Sequence, residues 1–85
     1  MKVYIGNADE SEVAFSYWSS TAQANYHMRL GPMSQIELPD ITQADLDNMI
    51  GQYMNHGFVQ ASSHNFTGTG LCYEIDNPIP NLTIA

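Results

Sequence analysis

Positive charge is nearly missing from this sequence. Lys2 and Arg29 stand alone against nine aspartates and glutamates, and the formal net charge is −7. Phosphate contacts are made chiefly by lysine and arginine, so direct binding of DNA or RNA is not expected. Anionic membrane surfaces are repelled by the same field, and basic surfaces are attracted. A second cysteine is also lacking. With Cys72 alone no internal disulfide framework can form, which fits a reducing compartment. No stretch approaches the roughly 20 apolar residues that cross a bilayer as a helix. The opening "MKVYIGNADESE" has no apolar run of the secretory kind. The expectation is a soluble, cytoplasmic domain, in which the acceptor triplets "NFT" (65–67) and "NLT" (81–83) carry no meaning.

Apolar residues make up 44% of the chain, which places it among globular rather than disordered sequences. Eighty-five residues form one domain, residues 1–85, burying roughly 60–65% of the surface that the unfolded chain exposes. No repeat, low-complexity tract or internal linker interrupts it.

"KVYIGN" reads as a strand ended by a turn at Gly6-Asn7, and "EVAFSYW" alternates, with Val13, Phe15 and Tyr17 on one side and Ala14, Ser16 and Trp18 on the other. A hairpin of these two runs is expected. Asp9 and Glu12 have capping-box spacing, and Val13, Tyr17, Ala24 and Met28 would fit a helical stripe, but aromatic and β-branched density favours the strand. "AQANYHMRL" stays open between a short helix and a third strand, stopped by Gly31-Pro32. "SQIEL" is a further strand candidate.

The clearest element is a helix over 43–56. Thr42 is its N-cap, Asp45 takes the third position of a capping box, and Ile41 and Leu46 are spaced as a hydrophobic staple. Leu46, Met49, Ile50, Tyr53 and Met54 make its apolar face. Gly57, before Phe58, is placed to end it in the left-handed conformation. "GFVQAS" and "LCYEID" then read as strands, and the tail over 77–85, with prolines at 78 and 80, is extended and unsuited to a central strand. The fold class expected is α+β, a small antiparallel sheet of about four to five short strands with the helix on one face.

Three places invite a chemical reading. "SSHNFTGTG" (62–70) is rich in hydroxyls and glycine, but a phosphate loop needs a following helix and a lysine, and neither is supplied. Gly68 and Gly70 suit a hairpin or bulge instead. Cys72 sits in a strand beside Glu74, a setting that discourages a thiolate, and reads as a small buried hydrophobe rather than a nucleophile served by His64. His27, His56, His64 and Cys72 lack the close spacing of zinc ligands. Asp45 and Asp47, two apart on a helix, do not face each other as an acid/base pair. No catalytic residue, cofactor or metal is therefore assigned.

The acidic charge remains. Asp9, Glu10 and Glu12 cluster in the first loop, and Glu37, Asp40, Asp45 and Asp47 gather around the helix start. Solubility alone is usually met with mixed signs, so a single-sign field suits a basic partner. In size, acidity and lack of catalytic motif the chain resembles small phage or mobile-element inhibitors, the anti-CRISPR and nucleic-acid-mimic class. That resemblance implies a non-enzymatic protein covering a basic surface of a host nucleic-acid-handling protein. The partner-binding set expected is Asp9, Glu10, Glu12, Glu37, Asp40 and Asp47, with Tyr17 or Trp18 as aromatic anchor. Two other classes compete: a homodimeric accessory module packing Trp18, Tyr17 and the methionines, and a small enzyme or metal protein using Cys72 and the histidines.

Overall fold

The computed structural model describes residues 1–85. Its strands are β1 (Val3–Asn7), β2 (Val13–Ser19), β3 (Ala24–Leu30), β4 (Ser34–Leu38), β5 (Val59–Gln60), β6 (Leu71–Ile75) and β7 (Thr83–Ile84). Helix α1 (Gln43–Tyr53) continues into a 3-10 turn, Met54–His56. The class is α+β, as the sequence predicts, but the strands divide into two sheets: one of five in the order β5-β6-β1-β4-β7, and the β2-β3 ribbon.

Strand β1 is the centre of the larger sheet and is buried along its whole length. Its neighbours β4 and β6 run antiparallel to it, while β7 lies parallel to β4 and β5 parallel to β6. The sheet is therefore mixed rather than purely antiparallel, and its two parallel pairings are short edge additions. The expected β1–β2 hairpin does not form. "VYIGN" offers an apolar or small residue to each face, which suits a strand covered on both sides, whereas β2 alternates cleanly and buries one face only. Strand β2 pairs with β3 instead, in register from Val13↔Leu30 to Ser19↔Ala24, which settles "AQANYHMRL" as a strand.

The alternation of β1 divides the interior. Val3 and Ile5 join Phe15, Tyr17, Leu30, Leu38, Ile41, Leu46, Met49, Phe58 and Leu71 in the main core, between the sheet, the ribbon and α1. Phe15 is fully buried, stacked on Tyr53 with ring centroids 4.7 Å apart, and Phe58 lies 5.9 Å from it. Burying a side chain of that size is worth about 1.5–3 kcal/mol. On the opposite face Tyr4, Cys72 and Ile79 form a smaller core with Ala61, Phe66 and Leu82 packed against it. The C-terminal segment straps across this second face.

Gly6 and Asn7 stay within β1 rather than making the expected turn. A Cβ at Gly6 would stand 2.6 Å from the Cδ1 atoms of both Ile79 and Leu82, so glycine leaves the space in which the strap sits. The Asn7 amide donates toward the carbonyls of Ser11, Leu30 and Gly31 at 2.8–3.1 Å, tying the sheet to the ribbon. Gln35 does the same for the strap. Its Nε2 donates to the carbonyls of Ile79 (2.8 Å) and Leu82 (2.9 Å), and its Oε1 accepts from the Ile79 amide at 2.8 Å.

The helix begins where the residues require. Thr42 Oγ1 accepts from the Asp45 amide at 3.1 Å, and Ile41 and Leu46 are both buried. The Asp45 carboxylate makes its short bonds outside the helix, to the amide and hydroxyl of Ser20, both at 2.9 Å. Gly57 is left-handed at φ 72°, but its amide bonds Met54 and closes a 3-10 turn. That tightening takes Met54 off the expected apolar face and leaves it 66% exposed.

Candidate functional site

The acidic residues fall at two ends of the large sheet. Strand β1 pairs Val3 with Leu38 at one end and Asn7 with Ser34 at the other. The loop carrying Asp9, Glu10 and Glu12 leaves the Asn7 end, while Asp40 and the helix start follow Leu38 at the Val3 end. The antiparallel ladder thus separates the two clusters instead of merging them into one face.

At the Asn7 end, Asp9 Oδ1 accepts from the Gly70 amide at 3.1 Å and fastens the loop to the segment before β6. Glu12 pairs with Arg29 at 3.0 Å. Glu10 is exposed and makes no side-chain hydrogen bond. At the Val3 end, Glu37 accepts from the Tyr4 hydroxyl at 2.8 Å and lies 3.6 Å from Lys2 Nζ. That hydrogen bond, with burial and the carboxylate's charge behind it, raises the Tyr4 pKa. Asp47 accepts from Gln43 at 2.9 Å. Asp40 stands exposed in the left-handed region, φ 56°, with its carbonyl accepting from Thr21 and its carboxylate free. Both basic side chains are thus spent on Glu12 and Glu37. Exposed pairs of this kind contribute about 0–1 kcal/mol each. Their consequence here is that every other carboxylate goes without a cationic partner.

The aromatic anchors need correction. Tyr17 is buried, 8% exposed, because its side of β2 faces the main core; burial first, then the nearby Tyr26 and Asp45, raises its pKa. It is not available as a protruding anchor. Trp18, on the outward side, is 42% exposed. Tyr26 is 43% exposed and stacks on Tyr17 with ring centroids 5.4 Å apart. Together with Ser19, Thr21, Ala22, Pro39 and Asp40, the two tyrosines line an open groove of about 320 Å³ at the Val3 end. Tyr26 was not singled out from the sequence, since only its pairing opposite Tyr17 gives it this place. The signal that could have found it is the alternation Tyr26, Met28, Leu30, which continues the inward side of β2 across the turn.

The hydroxyl-rich segment 62–70 joins two parallel strands, so it is a crossover and not the hairpin turn that its glycines suggested. Gly68 and Gly70 do take left-handed conformations, at φ 85° and 82°. Its amides are largely engaged: Phe66 bonds the Ser63 carbonyl, Ser62 donates to Glu74, and Gly70 donates to Asp9. A phosphate there would compete with two carboxylates for the same donors. Cys72 is fully buried, donates to the Gly6 carbonyl at 3.8 Å, and has its thiol pushed up to about 11 by burial and by Glu74. His27 bonds Ser16 at 2.8 Å on the ribbon, His56 closes the 3-10 turn, and His64 is exposed in the crossover. No three His, Cys, Asp or Glu side chains come together as a metal site, and no helix is long and apolar enough to cross a membrane. No protein family, curated protein or solved structure matches the chain.

Proposed function

We propose that the chain is a non-enzymatic, cytoplasmic binding protein that covers a basic surface of a nucleic-acid-handling protein, in the manner of small phage or mobile-element inhibitors. The groove beside Asp40 carries this reading. It brings the partly exposed Tyr26 ring and the Asp40 carboxylate into one groove, and neither the lysine nor the arginine of the chain pairs with that carboxylate. An aromatic face with an adjacent carboxylate is suited to an arginine or lysine side chain, whose stem packs on the ring while its charge meets the acid. A cation held over tyrosine is worth about 0.5–2 kcal/mol. The remaining unpaired carboxylates, Glu10 and Asp47 among them, supply long-range attraction that raises the association rate.

Two variants divide these roles. Glu10→Gln, Asp40→Asn and Asp47→Asn combined remove charge, and asparagine keeps the left-handed tolerance needed at position 40. Tyr26→Leu removes the ring. Proteins captured by the wild-type chain at low salt and released at high salt provide the partner, and binding kinetics are then measured across a salt series. The neutralised variant is expected to associate more slowly with a flatter salt response, and Tyr26→Leu to dissociate faster. A partner that associates with the neutralised variant at the wild-type rate would refute the reading.

A further inference from the structure

Strand β3 has an open outer edge. Its inner edge pairs with β2, and no backbone group of residues 24–29 bonds anything on the other side. The matching edge of β2 is closed: Tyr53 Oη accepts from the Ser16 amide (2.8 Å) and donates to its carbonyl, and Asp45 takes the Ser20 amide. The other sheet ends in β5 and β7, two residues each, which offer little to an incoming strand. Strand β3 is seven residues long, pairs without a bulge, and contains no proline or lysine. Proline, lysine and bulges are among the devices that normally guard free edges, and the one charge on the strand, Arg29, is paired with Glu12.

We infer that β3 pairs with β3 of a second copy of this chain, antiparallel, joining the two ribbons into one four-stranded sheet. Charge selects this occupant. Residues 13–30 hold no aspartate or glutamate, although the chain as a whole carries −7, and Arg29 on β3 is balanced by Glu12. The two strands of the ribbon therefore bring no carboxylate of their own to such a seam. The register is self-complementary as well. Overlap of all seven residues places His27 opposite His27 on the two-fold axis, Tyr26 opposite Met28, and Asn25 opposite Arg29, with no like-charged pair. Tyr26, on β3 itself and 43% exposed, lies beside the seam and adds apolar area to it. The inference rests on the ribbon's free edge and needs no basic partner, and it shares Tyr26 with the groove described above.

Sedimentation velocity of the full chain from micromolar to millimolar concentration tests it. Wild type is expected to pass from the 9.4 kDa monomer to twice that mass. His27 is exposed, so His27→Lys and His27→Glu keep the fold, as thermal melts will verify. Each alone places like charges face to face and should weaken self-association about tenfold. An equimolar mixture should restore it to near the wild-type level, because unlike charges then meet at the axis. A wild-type chain that stays monomeric throughout, as one reserving this edge for another protein's strand would, overturns the proposal. So does either variant dimerising like wild type, or a mixture no tighter than its components.

Discussion

Replacing Gln35 by methionine keeps the length and bulk of a side chain that is 1% exposed while removing every hydrogen bond that it makes to the strap. Three backbone groups lose their partners: the carbonyls of Ile79 and Leu82 and the amide of Ile79. A stranded buried group costs about 1–3 kcal/mol, so three would cost about 3–9 kcal/mol if the strap stayed in place. The strap can instead lift and let water satisfy them. That route forfeits burial of Ile79, worth about 1.5–3 kcal/mol, and the bonds Thr83 N–Met33 O and Ala85 N–Gln35 O, each worth about 0.5–1.5 kcal/mol net. The cheaper route sets the loss, which is then at least about 3 kcal/mol, a large share of the stability of a domain this small. Urea denaturation reads the loss, and amide exchange at Thr83 and Ala85 shows whether the strap has lifted. Gln35→Glu sharpens the test. At neutral pH its carboxylate can accept from the Ile79 amide but faces two carbonyl oxygens with no proton to offer. Protonation at acid pH restores one donor, so this variant should regain stability relative to wild type as pH falls. Destabilisation below about 0.5 kcal/mol by Gln35→Met, with unchanged exchange at Thr83 and Ala85, would refute the assignment of Gln35 as the anchor.

Gly6→Ala should destabilise by about 1–3 kcal/mol through overpacking, because its Cβ would overlap the methyl ends of Ile79 and Leu82; an unchanged melting temperature would show that the strap shifts freely. The Asp45 carboxyl is held below its ordinary value of 3.8, chiefly by the Ser20 amide and against the opposing effect of burial. A depressed folded pKa gives stability that is present above the unfolded value and lost as pH falls through the folded one, so acid should weaken the wild type in that window. Asp45→Asn should cost about 1–2 kcal/mol at neutral pH and flatten the acid limb of the stability curve; identical acid limbs would refute the linkage. Cys72, buried with its thiol pushed up to about 11, should react with an alkylating reagent at neutral pH only on unfolding, and prompt labelling of the native chain would contradict its burial.

Much of the local structure was legible in the sequence because its causes are local. The Thr42 cap, the Ile41–Leu46 pair and the left-handed Gly57 lie within one helix, and the alternation of β2 needs only its own seven residues. Composition likewise determined the surplus of carboxylates. Strand partners were not legible, because the pairing of β1 with β4 and β6 depends on which strands can bury two faces, a property of the assembled sheet. The parallel placing of β5 beside β6 turned an apparent hairpin loop into a crossover, and the core face of β2 made Tyr17 a buried wall of the groove rather than a protruding anchor. Tertiary structure alone decided that Gln35 and Gly6 hold the strap, because their partners lie more than 40 residues away along the chain. It also decided that the acidic clusters stand apart and that Tyr26 and Asp40 line one groove. Side-chain type is written in the sequence, whereas adjacency across strands follows from the register in which distant segments bury their apolar faces.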